Sequence, residues 1–452
     1  MIASTHRPTR LVIGFFAVAL AAAAPIAGVA QTSWRFQCAS SPHAGDVLSA
    51  TTLYAKPTAP DTSSFGFDLS TAPTRFDKDS CTGDKPFFFS LAVPDGNYEV
   101  TLTLGGKVAS TTTVRAEARR LFVDQLHLAA GASKQVVFNV NVRTPTIYPA
   151  PGEATSTDAL PEVRLKPREI GALDWDEKLT LEFNGDHPSL RSIFVRPITV
   201  PTVYLAGDST VVDQDKEPWA AWGQMLPVFF DSGISIANEA ESGETIKSFI
   251  GERRYAKIMS TIKPGDFLLV QFAHNDQKPG AGYVPAATDY KKYLLQYIAD
   301  ARSHGATPIL VTSMNRRNFD ASGKIVQTLG DYPQAMREVA AGQHVALIDL
   351  NALSKTLFEA LGPEGTLHAF VHYPANTFPD QPIELKDETH FNSYGAYELA
   401  RAIVQSIRNQ HLPLEKYLRP NIPPFDPAHP EPFASWKLPP SPFVSTTTPY
   451  GR

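Results

Sequence analysis

Short alternating segments dominate the first part of the chain. Apolar and polar residues alternate at 98–104, 135–142 and 179–183, as expected for strands with one buried face. Turn-forming residues separate these segments, and no helical periodicity interrupts them. The pattern predicts a β-sandwich domain over residues 31–198, with a long loop at 145–167 that is rich in Pro, Ala, Glu and Thr.

The pattern changes after residue 198, where apolar runs of strand length alternate with amphipathic segments of helical length. The apolar runs lie at 203–206, 234–237, 267–272, 308–313 and 345–350, and helical segments lie at 245–261, 289–303 and 393–409. Apolar strands separated by helices predict a parallel sheet that is covered on both faces. We therefore expect a flavodoxin-like three-layer α/β/α domain over 199–411. The proline-rich C-terminal tail, 412–452, is expected to form either an extended strap over the surface or a loose tail.

The first thirty residues have the features of a signal peptide. Arg7 and Arg10 precede an apolar run at 11–24, and small residues then lead to a cleavage site before Gln31. An uncleaved membrane anchor is the alternative, but the apolar run is short for a membrane span. The sequence predicts a signal peptide at 1–30, a secreted or periplasmic protein, and no membrane insertion after cleavage.

Composition narrows the possible partners. The formal net charge is only -5, which gives no electrostatic reason to expect nucleic acid binding. The hydrophobic content of 43% is enough for well-formed cores. The chain has 2 cysteines, Cys38 and Cys81, which are too few for an unaided zinc site. In an oxidising compartment they are expected to form a disulfide, and two buried free thiols are the alternative.

Four polar clusters lie near the ends of the predicted strands of the α/β domain. Ser209 follows the first strand, 238–243 the second and 273–276 the third, while 387–390 precedes the last helix. Loops at the carboxyl ends of parallel strands meet at one edge of a sheet, so these clusters are expected to converge. Gly207, just before Ser209, is expected to supply backbone angles that other residues resist.

The succession of Ser, Gly, Asn and His in these clusters resembles the SGNH (GDSL-type) hydrolases. The resemblance implies that Ser209 is the nucleophile, that His390 is its general base, and that Asp387 orients the imidazole. It also implies that the backbone N–H groups of Ser209 and Gly243 and the side-chain amide of Asn275 stabilise an oxyanion. This mechanism requires neither a metal ion nor an organic cofactor.

Further motifs resemble the rhamnogalacturonan acetylesterases within that superfamily. They lie at 207–210, 219–223, 241–243, 247–249, 264–266, 271–277, 389–392 and 394–396. Members of this group remove O-acetyl groups from pectic or other plant polysaccharides, and some bacterial members carry a similar β-sandwich before the catalytic domain. Two positions depart from the pattern: Ala273 replaces a usual Gly, and Glu244 replaces a frequent Arg. The second change is expected to alter the charge beside the pocket.

The sequence therefore predicts a carbohydrate O-acetylesterase whose partner is an acetylated plant cell-wall polysaccharide, with rhamnogalacturonan as the expected polymer. The alternatives are an SGNH esterase that acts on acetylated xylan or lipid esters, and an inactive carbohydrate-binding protein. Several roles stay open at this point. The pairs Arg253–Arg254 and Arg316–Arg317 face either acidic sugars or solvent. Trp219 and Trp222 either stack on sugars or pack in the core, and His274 either touches substrate or braces its loop.

Overall fold

A computed structural model describes residues 1, 33–40, 47–57, 64–149 and 159–449. Apart from Met1, the predicted signal peptide lies outside the described residues, as does part of the loop at 145–167. The segment Ser33–Arg452 forms one compact unit. Among the described residues, no helix has both the length and the apolar character needed to cross a membrane.

Two antiparallel sheets make up most of the region before residue 199. Their strands are β1 (Trp34–Cys38), β2 (Val47–Leu48), β3 (Phe65–Asp68), β4 (Arg75–Phe76), β5 (Cys81–Thr82), β6 (Phe87–Ala92), β7 (Gly96–Leu104), β8 (Ser110–Ala116), β9 (Arg120–Leu128), β10 (Lys134–Val142), β11 (Lys178–Asn184) and β12 (Ser189–Ile198). One sheet has the order β10-β7-β12-β1-β2, with β5 also paired to β12 and β4 paired to β5, and the other has the order β3-β6-β11-β8-β9. The only parallel pair among these strands is β1 with β2.

Alternate side chains of the two sheets share one core. Val100 and Leu102 from β7 lie in the same buried cluster as Leu181 and Phe183 from β11. This packing confirms the predicted sandwich, because strands of both sheets bury side chains in one shared core. Cys38 and Cys81 form a disulfide within this region, with their Cα atoms 5.4 Å apart.

A parallel sheet with helices follows. It is built from β13 (Thr202–Gly207), β14 (Ser235–Asn238), β15 (Phe267–Gln271), β16 (Thr307–Val311) and β17 (Ala346–Ile348), together with α1 (Trp222–Met225), α2 (Ile246–Gly251), α3 (Arg254–Thr261), α4 (Lys291–Ser303), α5 (Tyr332–Gln343), α6 (Leu350–Thr366) and α7 (Ser393–Asn409). The strand order is β14-β13-β15-β16-β17, and all four pairings are parallel. In chain order this is 2-1-3-4-5, the order of flavodoxin-like folds.

Both faces of this sheet are covered. Val203 and Leu205 of β13 join a core with residues of α1, α6 and α7. Tyr204 and Ala206 of the same strand join a second core with residues of α2, α3, α4 and α5. Because neighbouring residues of one strand pack in opposite directions, the sheet is the middle of three layers, as predicted. The domain boundary predicted at 198/199 falls between β12 and β13, and the division into domains stays a prediction.

The helix predicted over 245–261 is wrong in one respect, because the structure has two helices there. The break falls at Arg253, which adopts a left-handed φ of 66°. The carbonyl of the preceding residue, Glu252, accepts a hydrogen bond of 2.9 Å from the backbone N–H of Arg164. A partner from the first half of the chain therefore takes the carbonyl that a continuous helix would have used.

The proline-rich tail lies along the surface as an extended strap. It contacts the α/β layer, where the Tyr394 hydroxyl donates to the carbonyl of Glu431 over 2.5 Å. Further on it pairs with residue Glu217, whose N–H donates to the Phe443 carbonyl over 2.7 Å. It also reaches the sandwich, where the Asn184 side chain donates to the Pro440 carbonyl over 2.9 Å. The tail thus tethers the two parts of the fold to each other.

Candidate active site

Ser209 stands directly after β13, at the carboxyl edge of the parallel sheet. The first turn of its loop is fixed by Asp208, whose Oδ1 accepts hydrogen bonds from the backbone N–H of Thr210, at 2.9 Å, and from its hydroxyl, at 2.7 Å. The expectation that Gly207 supplies unusual backbone angles was wrong, because Gly207 does not have a positive φ. A Cβ at this position would lie 2.5 Å from Cγ2 of Val211, so close packing requires the glycine.

Asp387 and His390 lie on a strand, not in the loop predicted from the sequence. Strand β19 (Leu385–Phe391) pairs with β18 (Phe370–Tyr373), and the ladder shifts so that Asp387 faces Val371 while Phe391 faces Phe370. The three intervening residues form a bulge. Asp387 Oδ1 holds the bulge by accepting hydrogen bonds from the N–H groups of Thr389, at 2.9 Å, and His390, at 3.0 Å. A bulge re-aims side chains away from the ladder, and here it turns the imidazole toward Ser209.

The structure brings Ser209, His390 and Asp387 into one hydrogen-bonded series. His390 Nε2 lies 2.9 Å from Ser209 Oγ, and His390 Nδ1 lies 2.8 Å from Asp387 Oδ2. Burial raises the pKa of the Asp387 carboxyl, but the hydrogen bonds and charge of His390 outweigh burial and hold this pKa below its ordinary value. With Asp387 ionised, Nδ1 carries the shared proton and Nε2 is free to accept the proton of the serine hydroxyl.

Gly243 and Asn275 lie in the two loops beside that of Ser209. Gly243 follows β14 and has a φ of 82°, a conformation that glycine adopts at little cost. The Asn275 amide donates to the carbonyl of Glu244 over 3.0 Å and its oxygen accepts from Lys278 Nζ at 3.0 Å. Within the described residues, the backbone N–H groups of Ser209 and Gly243 donate no hydrogen bond. The three loops thus converge, as predicted.

Gln214 joins two of these loops, and the sequence analysis missed it. Its side-chain amide donates to the backbone carbonyl of Ser209 over 3.0 Å and lies 3.4 Å from the hydroxyl of Ser242. Its own carbonyl accepts a hydrogen bond of 3.1 Å from Arg119, at the turn between β8 and β9. No motif marks a glutamine in this role, because its closest partners are backbone atoms, which any sequence supplies.

The expectation that Glu244 changes the charge beside the pocket is wrong. Glu244 is fully buried, and its carboxylate forms an ion pair with Lys166, in the segment between β10 and β11. The other carboxylate oxygen accepts a hydrogen bond of 2.6 Å from the Ser248 hydroxyl. The charge of Glu244 is therefore neutralised inside the protein, by a cation that the first half of the chain supplies.

Further ion pairs join the active-site loops to the region before residue 199. The cross-connecting pairs are Arg119–Glu217, Arg120–Asp213, Arg143–Glu239, Arg168–Glu241, Glu169–Arg254 and Asp95–Lys257. Arg254 thus lies inside the protein, and neither solvent nor an acidic sugar is its partner. The sequence carried one signal for these contacts, the three glutamates at 239–244, since buried acids require cationic partners.

Burial settles the role of the two tryptophans. Trp219 and Trp222 are 3% and 1% exposed, so their large rings pack in the interior and do not form a sugar-stacking surface. His274 is also buried. His274 braces its loop, because its carbonyl accepts a hydrogen bond of 3.1 Å from Arg316. Across the described parts of the chain, no group of three or more His, Cys, Asp or Glu side chains could hold a metal ion. The absence of a metal from the reaction stays a prediction.

Asp276, in the same loop as His274 and Asn275, makes the free energy of unfolding depend on pH. Its Oδ1 accepts the N–H of Ile246 over 2.8 Å, while burial raises the pKa of its carboxyl to about 8. Between pH 5 and 8 the unfolded chain has lost this proton and the folded chain keeps it, so folding becomes less favourable as pH rises. We expect the free energy of unfolding of Asp276→Asn to fall less steeply with pH than that of the native protein. Between pH 5 and 8 the two slopes should differ by up to about 1.4 kcal/mol per pH unit.

Urea unfolding at each pH unit from 5 to 8 measures this difference in slope. The matched control is Asp289→Asn, because Asp289 is exposed and its substitution should leave the slope unchanged. Parallel curves for the native protein and Asp276→Asn would show that the carboxyl ionises as freely in the folded chain as in the unfolded one.

Known proteins with similar sequences indicate the family of this chain. Residues 205–397 match the GDSL-like lipase/acylhydrolase family. The chain is 43% identical over 218 residues to the rhamnogalacturonan acetylesterase RhgT of Bacillus subtilis, covering 48% of this chain and 93% of RhgT. It is 37% identical to the probable rhamnogalacturonan acetylesterase YesY of the same organism, covering 47% of this chain and 94% of YesY. An uncharacterised esterase of that organism, YxiM, is 27% identical over 71% of this chain and 74% of its own.

The chain therefore belongs to the GDSL-like lipase/acylhydrolase family, the SGNH hydrolases, and it is an esterase. Within that family it resembles the rhamnogalacturonan acetylesterases, since nearly the full length of RhgT and of YesY aligns with it. Both comparisons confirm the resemblance that the sequence motifs indicated.

Proposed function

We propose that this protein is a carbohydrate O-acetylesterase that releases acetate from acetylated pectic polysaccharide, with rhamnogalacturonan as the polymer. The observation that carries the proposal is the buried series Ser209–His390–Asp387, with its 2.9 Å and 2.8 Å contacts. The names of RhgT and YesY support the choice of substrate. Ser209 is the nucleophile, His390 the general base, and Asp387 the group that orients the imidazole and stabilises its charged form.

The reaction proceeds in two steps of acyl transfer. His390 Nε2 takes the proton of Ser209 as the hydroxyl oxygen attacks the acetyl carbonyl carbon, and the carbonyl electron pair moves onto its oxygen. When that oxyanion collapses, the bond to the sugar oxygen breaks and His390 returns the proton to the departing sugar hydroxyl. Water then repeats the attack on the acetyl-serine, releases acetate and restores Ser209.

Three donors stabilise the oxyanion in this proposal: the backbone N–H groups of Ser209 and Gly243 and the side-chain amide of Asn275. One amide hydrogen of Asn275 is donated to the Glu244 carbonyl, which leaves the second for the incoming oxygen. Lys278 holds the amide oxygen, so that the nitrogen keeps its direction without reorganising during the reaction.

Replacing Asn275 by alanine is expected to lower kcat by about 10²- to 10³-fold and to change KM little, because the lost donor acts mainly in the transition state. Initial rates of acetate release over a range of substrate concentrations separate the two constants. The melting temperature checks that the loop is intact. A rise in KM at unchanged kcat would assign Asn275 to substrate binding and remove it from the oxyanion hole.

The substrate is tested by acetate release from acetylated rhamnogalacturonan, acetylated xylan and a lipid ester, measured side by side at equal acyl concentration. We expect the pectic polymer to be the best substrate. Faster release from xylan or from the lipid ester would support the esterase activity but show that the proposed polymer is wrong. Binding of the polysaccharide without release of acetate from any substrate would favour the inactive carbohydrate-binding alternative.

Secretion or a periplasmic location is proposed on three grounds. The pattern of the first thirty residues supports a signal peptide, and the disulfide between Cys38 and Cys81 is typical of oxidising compartments. An acetylated cell-wall polysaccharide is also reached most directly outside the cell. Amino-terminal sequencing of the protein from its native host is expected to begin at Gln31. A protein that begins at Met1 and stays with the membrane would indicate the uncleaved anchor.

A further inference from the structure

The loop that carries Gly243 contains a tight turn. The backbone N–H of Glu244 donates to the carbonyl of Glu241 over 3.3 Å, which closes a β-turn over 241–244. Gly243 stands at the third position with a φ of 82°, while Ser242 at the second position is not among the residues with positive φ. This combination is that of a type II turn, because a type I turn needs a negative φ at the third position and the primed types need a positive φ at the second.

Type I and type II turns differ in the direction of their central peptide, which here joins Ser242 to Gly243. A change from type II to type I rotates this peptide by about half a turn. The peptide is trans, since the only cis bond among the described residues is Glu217–Pro218. In a trans peptide the C=O and the N–H point in opposite directions. The direction of the Ser242 carbonyl therefore decides whether the N–H of Gly243 is aimed at the oxyanion.

Lys166 holds that carbonyl in place. Its Nζ donates to the Ser242 oxygen over 2.6 Å and forms an ion pair with the carboxylate of Glu244. The backbone of the lysine is fixed as well, because its N–H donates to the carboxylate of Glu169 over 2.8 Å. The Lys166 side chain is only 18% exposed. A largely buried cation thus binds the carbonyl of a peptide whose N–H the proposed reaction uses.

We propose that Lys166 is a positioning residue for the oxyanion hole. By holding the Ser242 carbonyl, it keeps the turn in its type II form and aims the N–H of Gly243 at the oxyanion. The positive charge also makes this N–H a better donor, because hydrogen bonds in series polarise one another. The inference rests on the proposed function and deepens it, since it gives the segment between β10 and β11 control over the site.

A purely structural role for Lys166 makes a different prediction. If Lys166 only neutralises the Glu244 carboxylate, removing both charges together costs no more activity than removing the charge of Glu244 alone. If Lys166 also aims the peptide, a protein that has lost both charges is slower than a protein that keeps the lysine. The loss falls on kcat, because the N–H of Gly243 acts mainly on the oxyanion of the transition state.

The experiment compares the double variant, Lys166→Met with Glu244→Gln, with Glu244→Gln alone. Lys166→Met by itself is less informative, because it leaves the Glu244 carboxylate buried without its cation. The substrate is p-nitrophenyl acetate, so the result does not depend on the polymer. Relative to Glu244→Gln, we expect the double variant to have kcat and kcat/KM lower by at least about 10-fold, with KM and the melting temperature little changed.

Lys178 is the matched control for the loss of a largely buried lysine. Its side chain is 15% exposed, and it pairs with Asp68 of β3 over 2.6 Å, within the sandwich. Lys178→Met should leave kcat and KM at their native values, because this lysine contacts no active-site loop.

Protein labelled with ¹⁵N-glycine reports the turn directly, through the amide resonance of Gly243. Relative to Glu244→Gln, this resonance should move or split in the double variant, as the turn leaves its type II form. Equal kcat/KM in the two variants, or a loss that falls on KM alone, would overturn the proposal. A lower kcat with an unmoved Gly243 resonance would also overturn it, because the turn would not have changed.

A failure of the proposed function has a different signature. If p-nitrophenyl acetate is cleaved but no acetylated polysaccharide is, the polymer is wrong and the comparison of the two variants still stands. If Ser209→Ala cleaves p-nitrophenyl acetate as fast as the native protein, the proposed mechanism is wrong. The Gly243 resonance then tests separately whether Lys166 fixes the turn, and an unmoved resonance would reject that role too.

Discussion

Ser209→Ala is expected to lower kcat for acetate release by about 10⁴- to 10⁶-fold and to leave the fold unchanged. The hydroxyl is buried, and its contact with His390 Nε2 has the length of a normal hydrogen bond, 2.9 Å. Alanine fits the same space, so the variant removes the nucleophile and little else. In the variant, a water molecule in front of the oxyanion donors still attacks the acetyl group. This residual reaction accounts for the smaller loss in the range, about 10⁴-fold.

The control for this variant is Ser235→Ala. Ser235 is as buried as Ser209 but begins β14, at the opposite end of the sheet, and its hydroxyl has no partner within the described residues. Its loss should change kcat by less than about 3-fold, since it touches no part of the site. Substantial acetate release by Ser209→Ala, with a native melting temperature, would show that another group attacks the acetyl carbon.

A chain that starts at Thr202 is expected to be insoluble or inactive, although it contains every proposed catalytic residue. The truncation removes the cations that pair with Asp213, Glu217, Glu239, Glu241 and Glu244, all of which are buried. Breaking one buried pair costs about 3–5 kcal/mol, and the whole stability of a domain is about 5–15 kcal/mol. The loss of several ion pairs at once therefore costs more free energy than the whole stability of the α/β layer.

Soluble yield, melting temperature and acetate release of the truncated chain measure this effect. The control is a chain that starts at Ser33, which keeps the whole compact unit and should behave as the native protein. Co-expression of residues 33–198 with the truncated chain should restore soluble, active protein, since it returns the missing cations. A truncated chain that is soluble and fully active alone would mean that the β-sandwich is a separable module.

The core of the fold could be predicted because its strands are buried on both faces. The apolar run at 203–206 became β13, Thr202–Gly207, and the amphipathic pattern at 393–409 became α7 with the same bounds. In such elements the polarity of each side chain indicates whether the residue is buried. The local sequence is therefore enough to predict the element. The convergence of Ser209, Gly243 and Asn275 followed from the same parallel topology.

Other features could not be predicted, because they depend on residues that are far away in the chain. Strand β19 contains four charged or titratable residues, Lys386, Asp387, Glu388 and His390, so nothing local distinguishes it from a loop until β18 pairs with it. The role of Glu244 likewise could not be seen, because its partner Lys166 is 78 residues away. Ion pairs of this kind have no periodicity, and only the packing of the sandwich against the α/β layer brings them together.

The central claim is that Ser209 carries the acetyl group during the reaction. The most direct measurement is mass spectrometry of peptides from enzyme that has been quenched with acid during turnover of excess acetylated rhamnogalacturonan. The account predicts an acetyl group on the peptide that contains Ser209, lost when substrate is exhausted and absent from Ser209→Ala. Acetate release in the native enzyme without acetyl-serine at any time, together with continued release by Ser209→Ala, would contradict it.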